Sequence, residues 1–469
     1  MSASTTTASV YDYLRAHEAR YVDELIEFVT IPSVSTDPAY ADGMAAAAAW
    51  VAAQLTQASM DHVQVLPTAR HPVVYADWLH APGAPTLLVY GHYDVQPPDP
   101  LDAWASPPFT PDIRDGKLYA RGVSDDKGPM LIPLKVAEAY MATAGRLPVN
   151  VKFLFEGEEE IGSPSLEAFI AEHADLLAAD YALSADGAMW RVDVPSVTVA
   201  GRGMAGLEFT LTGAAKDLHS GRHGGAVANA LHAMATLVAS LHTPDGRVAV
   251  PGFYADVVEL TPAERAALAG LPFDDADYLA QTGVPATFGE AGYTTLERMW
   301  ARPTLEINGM WGGYQGAGSK TVIPHQAHAK ITCRLVPDQD PADIVAKVAR
   351  HLEENVPPGV RLTLHTDGHE ARPYRLPDDH PGLGIASQVL AGLYGQTPVH
   401  VRMGGTLPVS ELFQRLLGIY TVFFSFSTAD EDFHAPNEFF RLQRLADGLQ
   451  AWARFWELAG ESSAKAEVA

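Results

Sequence analysis

The chain has 469 residues, of which 47% are hydrophobic and 19% are charged. This length exceeds what one ordinary hydrophobic core supports, so we expect two domains, or one domain with a large insertion. The 32 basic and 57 acidic residues give a formal net charge of −25. No basic stripe interleaved with aromatic residues occurs, so a nucleic-acid partner is not expected.

The single cysteine, Cys333, excludes an intrachain disulfide and a cysteine-rich metal site. It lies in an alternating run on the apolar side with Ile331 and Leu335, which predicts a small core residue. The first residues lack the basic and apolar regions of a signal peptide, and no apolar run reaches the ~18 residues that a membrane span needs. We therefore expect a cytoplasmic protein without a membrane partner.

Helices and short apolar strands alternate in the first part of the chain. An amphipathic helix is expected to end before Pro32, because the residue before proline disfavours helical geometry. A second helix is predicted at 44–56, strands at 73–79, 86–90, 149–155 and 181–184, and further helices after Gly128 and Pro164. This alternation predicts an α/β fold around a largely parallel or mixed sheet.

The pattern changes near residue 203. A strand from 206, a helix at 227–241, a Pro- and Gly-punctuated excursion at 243–317, a strand at 328–336, a helix at 341–354 and a strand at 360–365 predict an inserted α+β domain. The α/β pattern then returns, with a helix at 383–393, a strand at 418–424 and a closing helix at 439–458. We expect the boundaries 1–203, 204–372 and 373–469.

Five polar stretches contain candidate ligands, and three of them, at 91–97, 155–163 and 184–187, follow predicted strands at the edge where open α/β sheets bind ligands. The five stretches are 91–97 (GHYDVQP), 121–128 (RGVSDDKG), 155–163 (FEGEEEIGS), 184–187 (SADG) and 433–438 (FHAPNE), the last at the expected start of the closing helix. Each alone has an ordinary explanation, such as a loop histidine, a helix N-cap or a solvated acidic run. Together they offer two histidines and three carboxylates, a mixture that suits zinc, cobalt or manganese better than calcium.

Two further features favour a metal centre. A histidine followed two positions later by an aspartate, as in His92 and Asp94, can act as a ligand and the carboxylate that orients it. Three carboxylates and one hydroxide also balance the charge of two divalent ions, which favours a bimetal site.

Seven motifs occur in an order that resembles a known superfamily. They are GHYDVQP, RGVSDDKG, EEIGS at 159–163, KDLHSG at 216–221, KTVIP at 320–324, RLVP at 334–337 and HAPNE at 434–438. They resemble the di-zinc metallopeptidases that include carnosinase, glutamate carboxypeptidase, aminoacylase and succinyl-diaminopimelate desuccinylase. The similarity extends over about residues 13–456 and is closest to the carnosinase-like dipeptidases.

The resemblance implies a fold, a metal set and a dimer. The fold is a phosphorylase/hydrolase-like α/β/α catalytic domain with an inserted α+β lid and dimerisation domain. Two Zn²⁺ ions, or Mn²⁺ or Co²⁺, would be held by five residues, with the Asp125 carboxylate bridging and a cis peptide to Asp126. The ligands of one ion are His92 and Asp186, and those of the other are Glu160 and His434.

The resemblance also assigns the catalytic groups. Glu159 would be the general base that deprotonates the bridging water, and Asp94 would orient His92. Because Glu158 stands where carnosinase-like members have Met, the acidic run is aligned on Gly162 and Ser163, which makes Glu159 the base and Glu160 the ligand.

Substrate contacts follow from the same resemblance. Arg334, on the strand face opposite Cys333, suits a substrate carboxylate, although a structural salt bridge is the alternative. Asn308, Thr321 and the glycine-rich Gly404, Gly405 and Thr406 resemble further substrate-contacting positions; an ordinary tight turn is the alternative for the last three. His219 would stabilise the oxyanion in the partner subunit's site; a turn histidine bonded to Ser220 is the alternative.

We therefore expect a homodimeric di-zinc metallopeptidase that hydrolyses dipeptides or short peptides with a free C-terminal carboxylate. An N-acyl-amino-acid deacylase would use the same metals and base on a different acyl group. A metal-binding homologue without catalysis is the alternative from another class, although the presence of Glu159 argues against it.

Overall fold

A computed structural model of the chain describes residues 3–365 and 370–466. The extreme terminal residues of the predicted catalytic domain, and residues 366–369 of the predicted inserted domain, lie outside the described residues. Within the described ranges, no helix is both long enough and apolar enough to span a membrane.

The helices occur where the sequence predicts them, with a few additions. They are α1 (Ala3–Thr30), α2 (Ala41–Gln57), α3 (Gly128–Ala144), α4 (Leu166–Glu172), α5 (Ala174–Leu177), α6 (Ser220–His223), α7 (Ala230–Ala239), α8 (Pro262–Ala269), α9 (Asp275–Thr282), α10 (Thr295–Ala301), α11 (Pro341–Glu354), α12 (Pro381–Tyr394), α13 (Pro408–Leu412) and α14 (Leu442–Ala466). Short turns of 3₁₀ or π type lie between several of them.

The strands are interleaved with these helices. They are β1 (Asp61–Leu66), β2 (Val73–Trp78), β3 (Thr86–His92), β4 (Asp112–Arg114), β5 (Lys117–Tyr119), β6 (Asn150–Glu156), β7 (Tyr181–Ser184), β8 (Ser196–Gly201), β9 (Gly203–Thr212), β10 (Leu218–His219), β11 (Thr304–Gly312), β12 (Val322–Ile323), β13 (Gln326–Leu335), β14 (Arg361–His365), β15 (Tyr374–Arg375), β16 (Val399–Met403), β17 (Thr421–Phe423) and β18 (Phe439–Arg441).

The chain forms two compact units, which are defined by the contacts among its own residues. The first comprises Met1–Val199, Leu376–Val401 and Leu412–Ala469, and the second comprises Ala200–Arg375 and Arg402–Glu411. The short segment from Arg402 therefore groups with the second unit, although the chain on both sides of it belongs to the first.

The first unit is built on a mixed sheet in the order β1-β2-β6-β3-β7-β17. Strands β6, β3, β7 and β17 run parallel, whereas β1 and β2 are antiparallel to their neighbours. The parallel strands are buried along almost their whole length, which agrees with their largely apolar sequences. Helices α1, α3 and α14 pack on one another, and α3 contacts β3. The fold class is α/β, as predicted.

The second unit contains an antiparallel sheet in the order β11-β13-β9-β14. One face of β13 is buried and includes Ala329, Ile331, Cys333 and Leu335. Residues of α7 and α11 complete this core. Cys333 is free and buried, as its alternating run predicts.

Three sequence-based expectations for individual elements need correction. Strand β3 extends through His92, so this histidine ends the strand instead of lying in the following loop. The excursion at 243–317 contains helices α8, α9 and α10 and the nine-residue strand β11. The last helix begins at Leu442, because Phe439–Arg441 pair with β5 as a strand, and His434 is therefore in a loop.

Candidate metal centre

The parallel strands of the first unit end at one edge of the sheet. In the register of the sheet, His92 at the end of β3 pairs with Glu156 at the end of β6. Tyr90 of β3 pairs with Ser184, which ends β7 and precedes Asp186 by two positions. Parallel pairing therefore directs the segments after β3, β6 and β7 to the same region.

The five predicted ligands come together in this region as two groups of three. One group is His92, Asp125 and Asp186, and the other is Asp125, Glu160 and His434; within each group the candidate ligand atoms lie within 4.8 Å of one another. Asp125 belongs to both groups. Its Oδ1 is 3.0 Å from His92 Nε2, and its Oδ2 is 3.0 Å from His434 Nε2.

The charges of these groups fit divalent cations. Burial raises the pKa of Asp186 to about 6, and it also raises the pKa of Glu160, with the Asp125 charge acting in the same direction. Hydrogen bonds with Asp125 and Glu160 raise the pKa of His434 to about 10. The crowded carboxylates thus favour positive charge beside them. A bound metal ion would supply this charge and would leave the two histidine rings neutral, so that they could act as ligands.

His92 is fully buried and its two ring nitrogens face different partners. Its Nδ1 is 3.1 Å from the main-chain oxygen of Asp94 and 3.5 Å from the carboxylate of the same residue. The main-chain carbonyl and the carboxylate of Asp94 thus both lie beside this ring nitrogen, and orientation of His92 by the carboxylate stays a prediction. The Asp94 carboxylate also accepts hydrogen bonds from the backbone N–H groups of Glu159 at 3.2 Å and Glu160 at 3.1 Å.

The three consecutive glutamates have different surroundings. The Glu158 carboxylate is buried and accepts hydrogen bonds from the Thr68 hydroxyl, the His71 N–H, and the N–H and hydroxyl of Ser165. Glu160 belongs to a ligand group. Burial raises the pKa of Glu159 well above its usual range, and the Asp186 and Glu160 charges act in the same direction. This arrangement supports the alignment in which Glu160 is the ligand.

Two residues of the motifs, Gln96 and Asp126, support the predicted ligands through contacts that the sequence alone does not predict. The Gln96 amide donates to Glu160 Oε2 at 2.8 Å and to the Glu160 carbonyl at 3.1 Å. The carboxylate of Asp126 accepts from the His92 N–H at 3.2 Å, and the peptide that joins it to Asp125 is cis, as the resemblance implies. Gln96 lies in the first motif, but only the spatial proximity identifies its role.

The second unit contains the predicted substrate-contacting residues. Arg334 and Asn308 line a cavity of about 780 Å³, together with Arg202, Phe288 and Arg298 among others. Thr321 and the glycine-rich segment are not among the residues that line this cavity.

The remaining predicted residues of this unit make local contacts. The Thr321 carbonyl accepts from the Ser220 N–H. The carbonyls of Gly404 and Gly405 accept from Arg202, and Thr406 follows in the loop before α13. The His219 side chain is exposed and accepts the N–H of Gly221, and not the neighbouring serine, at 3.0 Å.

Comparison with known proteins agrees with this geometry. The family described as "Peptidase family M20/M25/M40" matches residues 88–458. The chain is 29% identical to the Cys-Gly metallodipeptidase dug1 of Schizosaccharomyces pombe, over 97% of this chain and 98% of that protein. It is also 29% identical to the human Beta-Ala-His dipeptidase, over 95% and 91% of the two proteins.

Solved structures give the same result. Human carnosine dipeptidase 1 matches with a TM-score of 0.79 and 28% identity, over 97% of this chain and 99% of the other. The M20 family metallo-carboxypeptidase Sso-CP2 from Sulfolobus solfataricus matches with a TM-score of 0.80 and 31% identity, over 94% and 99% of the two chains. These similarities confirm the predicted resemblance to the carnosinase-like branch, and the chain belongs to peptidase family M20/M25/M40.

Proposed function

We propose that this metallopeptidase is a dipeptidase that holds two divalent metal ions and hydrolyses the amide bond next to a free C-terminal carboxylate. The observation that supports two ions is the position of Asp125, whose two oxygens each face a different histidine at 3.0 Å. The dipeptidase names of the curated relatives support the substrate class.

The metal assignment follows from the two ligand groups. His92 and Asp186 would hold one ion, Glu160 and His434 the other, and Asp125 both. Imidazole nitrogen with carboxylate oxygen suits zinc, and also manganese or cobalt. When bound, such ions polarise a scissile carbonyl and lower the pKa of a water molecule beside them.

Glu159 is the general base in this proposal. Its carboxylate takes the proton from the attacking water while the water oxygen forms a bond to the carbonyl carbon. It then delivers that proton to the amine nitrogen as the carbon–nitrogen bond breaks. The Asp94 carboxylate fixes the backbone of Glu159 and Glu160 together, so the base and the adjacent ligand share one support.

We assign substrate recognition to the second unit. Arg334 would bind the substrate carboxylate with its two-pronged guanidinium group, and Asn308 lines the same cavity. Thr321 and the Gly404, Gly405 and Thr406 segment are further candidate contacts from the family resemblance. The same resemblance supports a homodimer, formed through the inserted domain, in which His219 of one subunit stabilises the oxyanion in the other.

The proposal is tested by removing metal and screening substrates. The chelated protein should hydrolyse neither dipeptides nor N-acyl amino acids. About two equivalents of Zn²⁺ should restore dipeptide hydrolysis, since a single catalytic zinc needs only about three protein ligands and five are present. Mn²⁺ and Co²⁺ are tested in parallel.

Two results would contradict the proposal. Full activity at one equivalent, unchanged by a second, would exclude the bimetal mechanism. Hydrolysis of N-acyl amino acids with no turnover of dipeptides would assign the chain to the deacylases.

A further inference from the structure

Glu438 is a buried carboxylate that the proposed mechanism does not use, and none of its surface is exposed. We propose that it is a positioning residue that fixes the bridging Asp125 and the His434 loop relative to one another. This inference rests on the proposed bimetal site, because its consequence is a change in metal affinity.

The Glu438 carboxylate accepts hydrogen bonds from a single short segment of the chain. Its Oε2 accepts from Arg121 Nη1 at 2.7 Å and from the Gly122 N–H at 2.8 Å. Its Oε1 accepts from the N–H groups of Ser124 at 3.0 Å and of Asp125 itself at 3.1 Å. Both oxygens therefore accept from the segment that contains the bridging ligand, through three backbone N–H groups and one arginine side chain.

This backbone has an unusual conformation that needs such support. Gly122 is left-handed, with φ of 76°, and Asp125 departs from helical geometry with φ −124° and ψ 88°. The N–H groups of Gly122, Ser124 and Asp125 consequently point toward one carboxylate instead of toward helical carbonyls. Without that acceptor they would be buried and unsatisfied, which favours a rearranged segment.

Glu438 also fixes the segment that contains His434. Its main-chain oxygen accepts from the Ala120 N–H at 3.2 Å, and the next residues form β18 against β5. Asp432, His434 and Asn437 have left-handed φ angles of 55°, 60° and 66°. For residues other than glycine these angles are uncommon and require local support. One residue thus connects the segments of two ligands that are far apart in sequence.

The chemistry of the site requires a carboxylate and not an amide. A carboxylate has only acceptors, so both of its oxygens can face N–H donors. The amide of glutamine has the same shape, but its NH₂ group would face two of the donors. Glu438→Gln therefore removes the acceptors with little change in volume, and Glu438→Asp keeps the charge on a shorter side chain.

The test measures metal binding to the metal-free protein. Wild type, Glu438→Gln, Glu438→Asp and Glu138→Gln are titrated with Co²⁺, and binding is followed by visible absorption. Glu138 is a matched control, since it is a buried carboxylate that bonds to Arg20 and Lys135 and belongs to no ligand group. Melting of each metal-free protein is recorded in parallel.

We expect Glu438→Gln to weaken at least one of the two Co²⁺ affinities by about 10- to 100-fold, the range typical of residues that orient metal ligands. Glu438→Asp should lie between it and wild type. The control should keep both affinities within about threefold, even where its melting temperature falls, because no ligand depends on it.

The outcomes separate the two proposals. A wild type that binds a single Co²⁺ would refute the bimetal site. A wild type with two ions and a folded Glu438→Gln with both affinities unchanged would refute only the positioning role. If Glu438→Gln does not fold, the Co²⁺ affinities of Glu438→Asp test the positioning role instead, because its shorter carboxylate cannot reach all the N–H donors. Two unchanged affinities in Glu438→Asp would then refute that role.

Discussion

Glu158, Glu159 and Glu160 are chemically identical neighbours, and only their surroundings distinguish them. The hydrogen bonds of Glu158 go to Thr68, His71 and Ser165, so this side chain stabilises the fold around the loop. The Glu160 carboxylate lies 3.2 Å from His434 Nε2. Among the residues that the structure describes, Glu159 has neither set of contacts, and this difference supports its proposed role as the general base.

Glu159→Gln should abolish most activity while leaving metal bound. Replacing the base removes proton transfer, which is typically worth about 10²- to 10⁴-fold in kcat. The amide keeps the size of the side chain, so the backbone bonds to Asp94 and the ligands should remain. Steady-state kinetics on a dipeptide and metal analysis of the purified variant check both parts.

Glu158→Gln is the matched control for that variant. Its loss of buried hydrogen bonds should lower the melting temperature, since each unsatisfied buried group costs about 1–3 kcal/mol. Its kcat per folded, metal-loaded molecule should stay near wild type. An inactive, metal-replete Glu158→Gln beside an active Glu159→Gln would mean that the acidic run is aligned one position out.

At the scale of elements, the sequence predicts best the strands that are buried along nearly their whole length. The buried parallel strands are largely apolar runs, so β3, β6 and β7 are predicted to within two residues at each end. The sequence does not predict strand β1, because as an edge strand it has largely exposed or half-exposed side chains and a mixed sequence. It does not predict strand β11 either, because Gly309 and Gly312 interrupt the pattern, and pairing with β13 overrides that local signal.

The end of β3 packs closely on the segment of the bridging ligand, and Gly91 makes this possible. A Cβ atom at Gly91 would lie 2.7 Å from Asp126 Oδ2 and 2.9 Å from Met130 Cβ. The Asp126 oxygen is the one that accepts the His92 N–H. The glycine before the histidine thus lets the strand approach both the second aspartate and α3.

Gly91→Ala should therefore destabilise the protein and weaken metal binding. Overpacking of this kind costs about 1–3 kcal/mol, and the displaced Asp126 would release the His92 backbone. Gly392→Ala is the control, because Gly392 lies within α12 with open space around its Cβ position. It should be neutral or stabilising by up to about 1 kcal/mol. The melting temperatures of the two metal-free variants, and then their Co²⁺ affinities, are compared. Equal melting temperatures and equal affinities for Gly91→Ala and Gly392→Ala would contradict the packing argument.

At the scale of the whole molecule, the sequence predicts which residues are candidate metal ligands better than it predicts the contacts that position them. The five residues predicted as ligands are the five that the structure brings together. His92, Glu160 and Asp186 end or follow strands of the six-stranded sheet, whereas Asp125 follows β5 and His434 precedes β18 of a separate three-stranded sheet. The supporting contacts of Gln96 and Glu438 join segments that are distant in sequence, so no local sequence pattern predicts these contacts. The domain boundaries, the dimer and the cytoplasmic location stay predictions.

The proposed dimer gives His219 a role that one chain does not display. Within the part of the chain that the structure describes, its side chain is exposed and accepts a hydrogen bond from the nearby Gly221 N–H. The family resemblance assigns the matching histidine to the partner's active site. In a twofold dimer each active site would then combine Glu159 of one subunit with His219 of the other.

Mixing two inactive variants tests this shared site. In a mixed dimer of Glu159→Ala and His219→Ala subunits, action in trans gives one site with both mutations and one intact site. Random reassortment of equal amounts makes half of the dimers mixed, so about a quarter of wild-type activity should return. If His219 acts within its own chain, every site keeps a mutation and no activity returns. Subunit exchange is verified separately with differently tagged chains, so a mixture no more active than its parents, despite complete exchange, would refute the shared site.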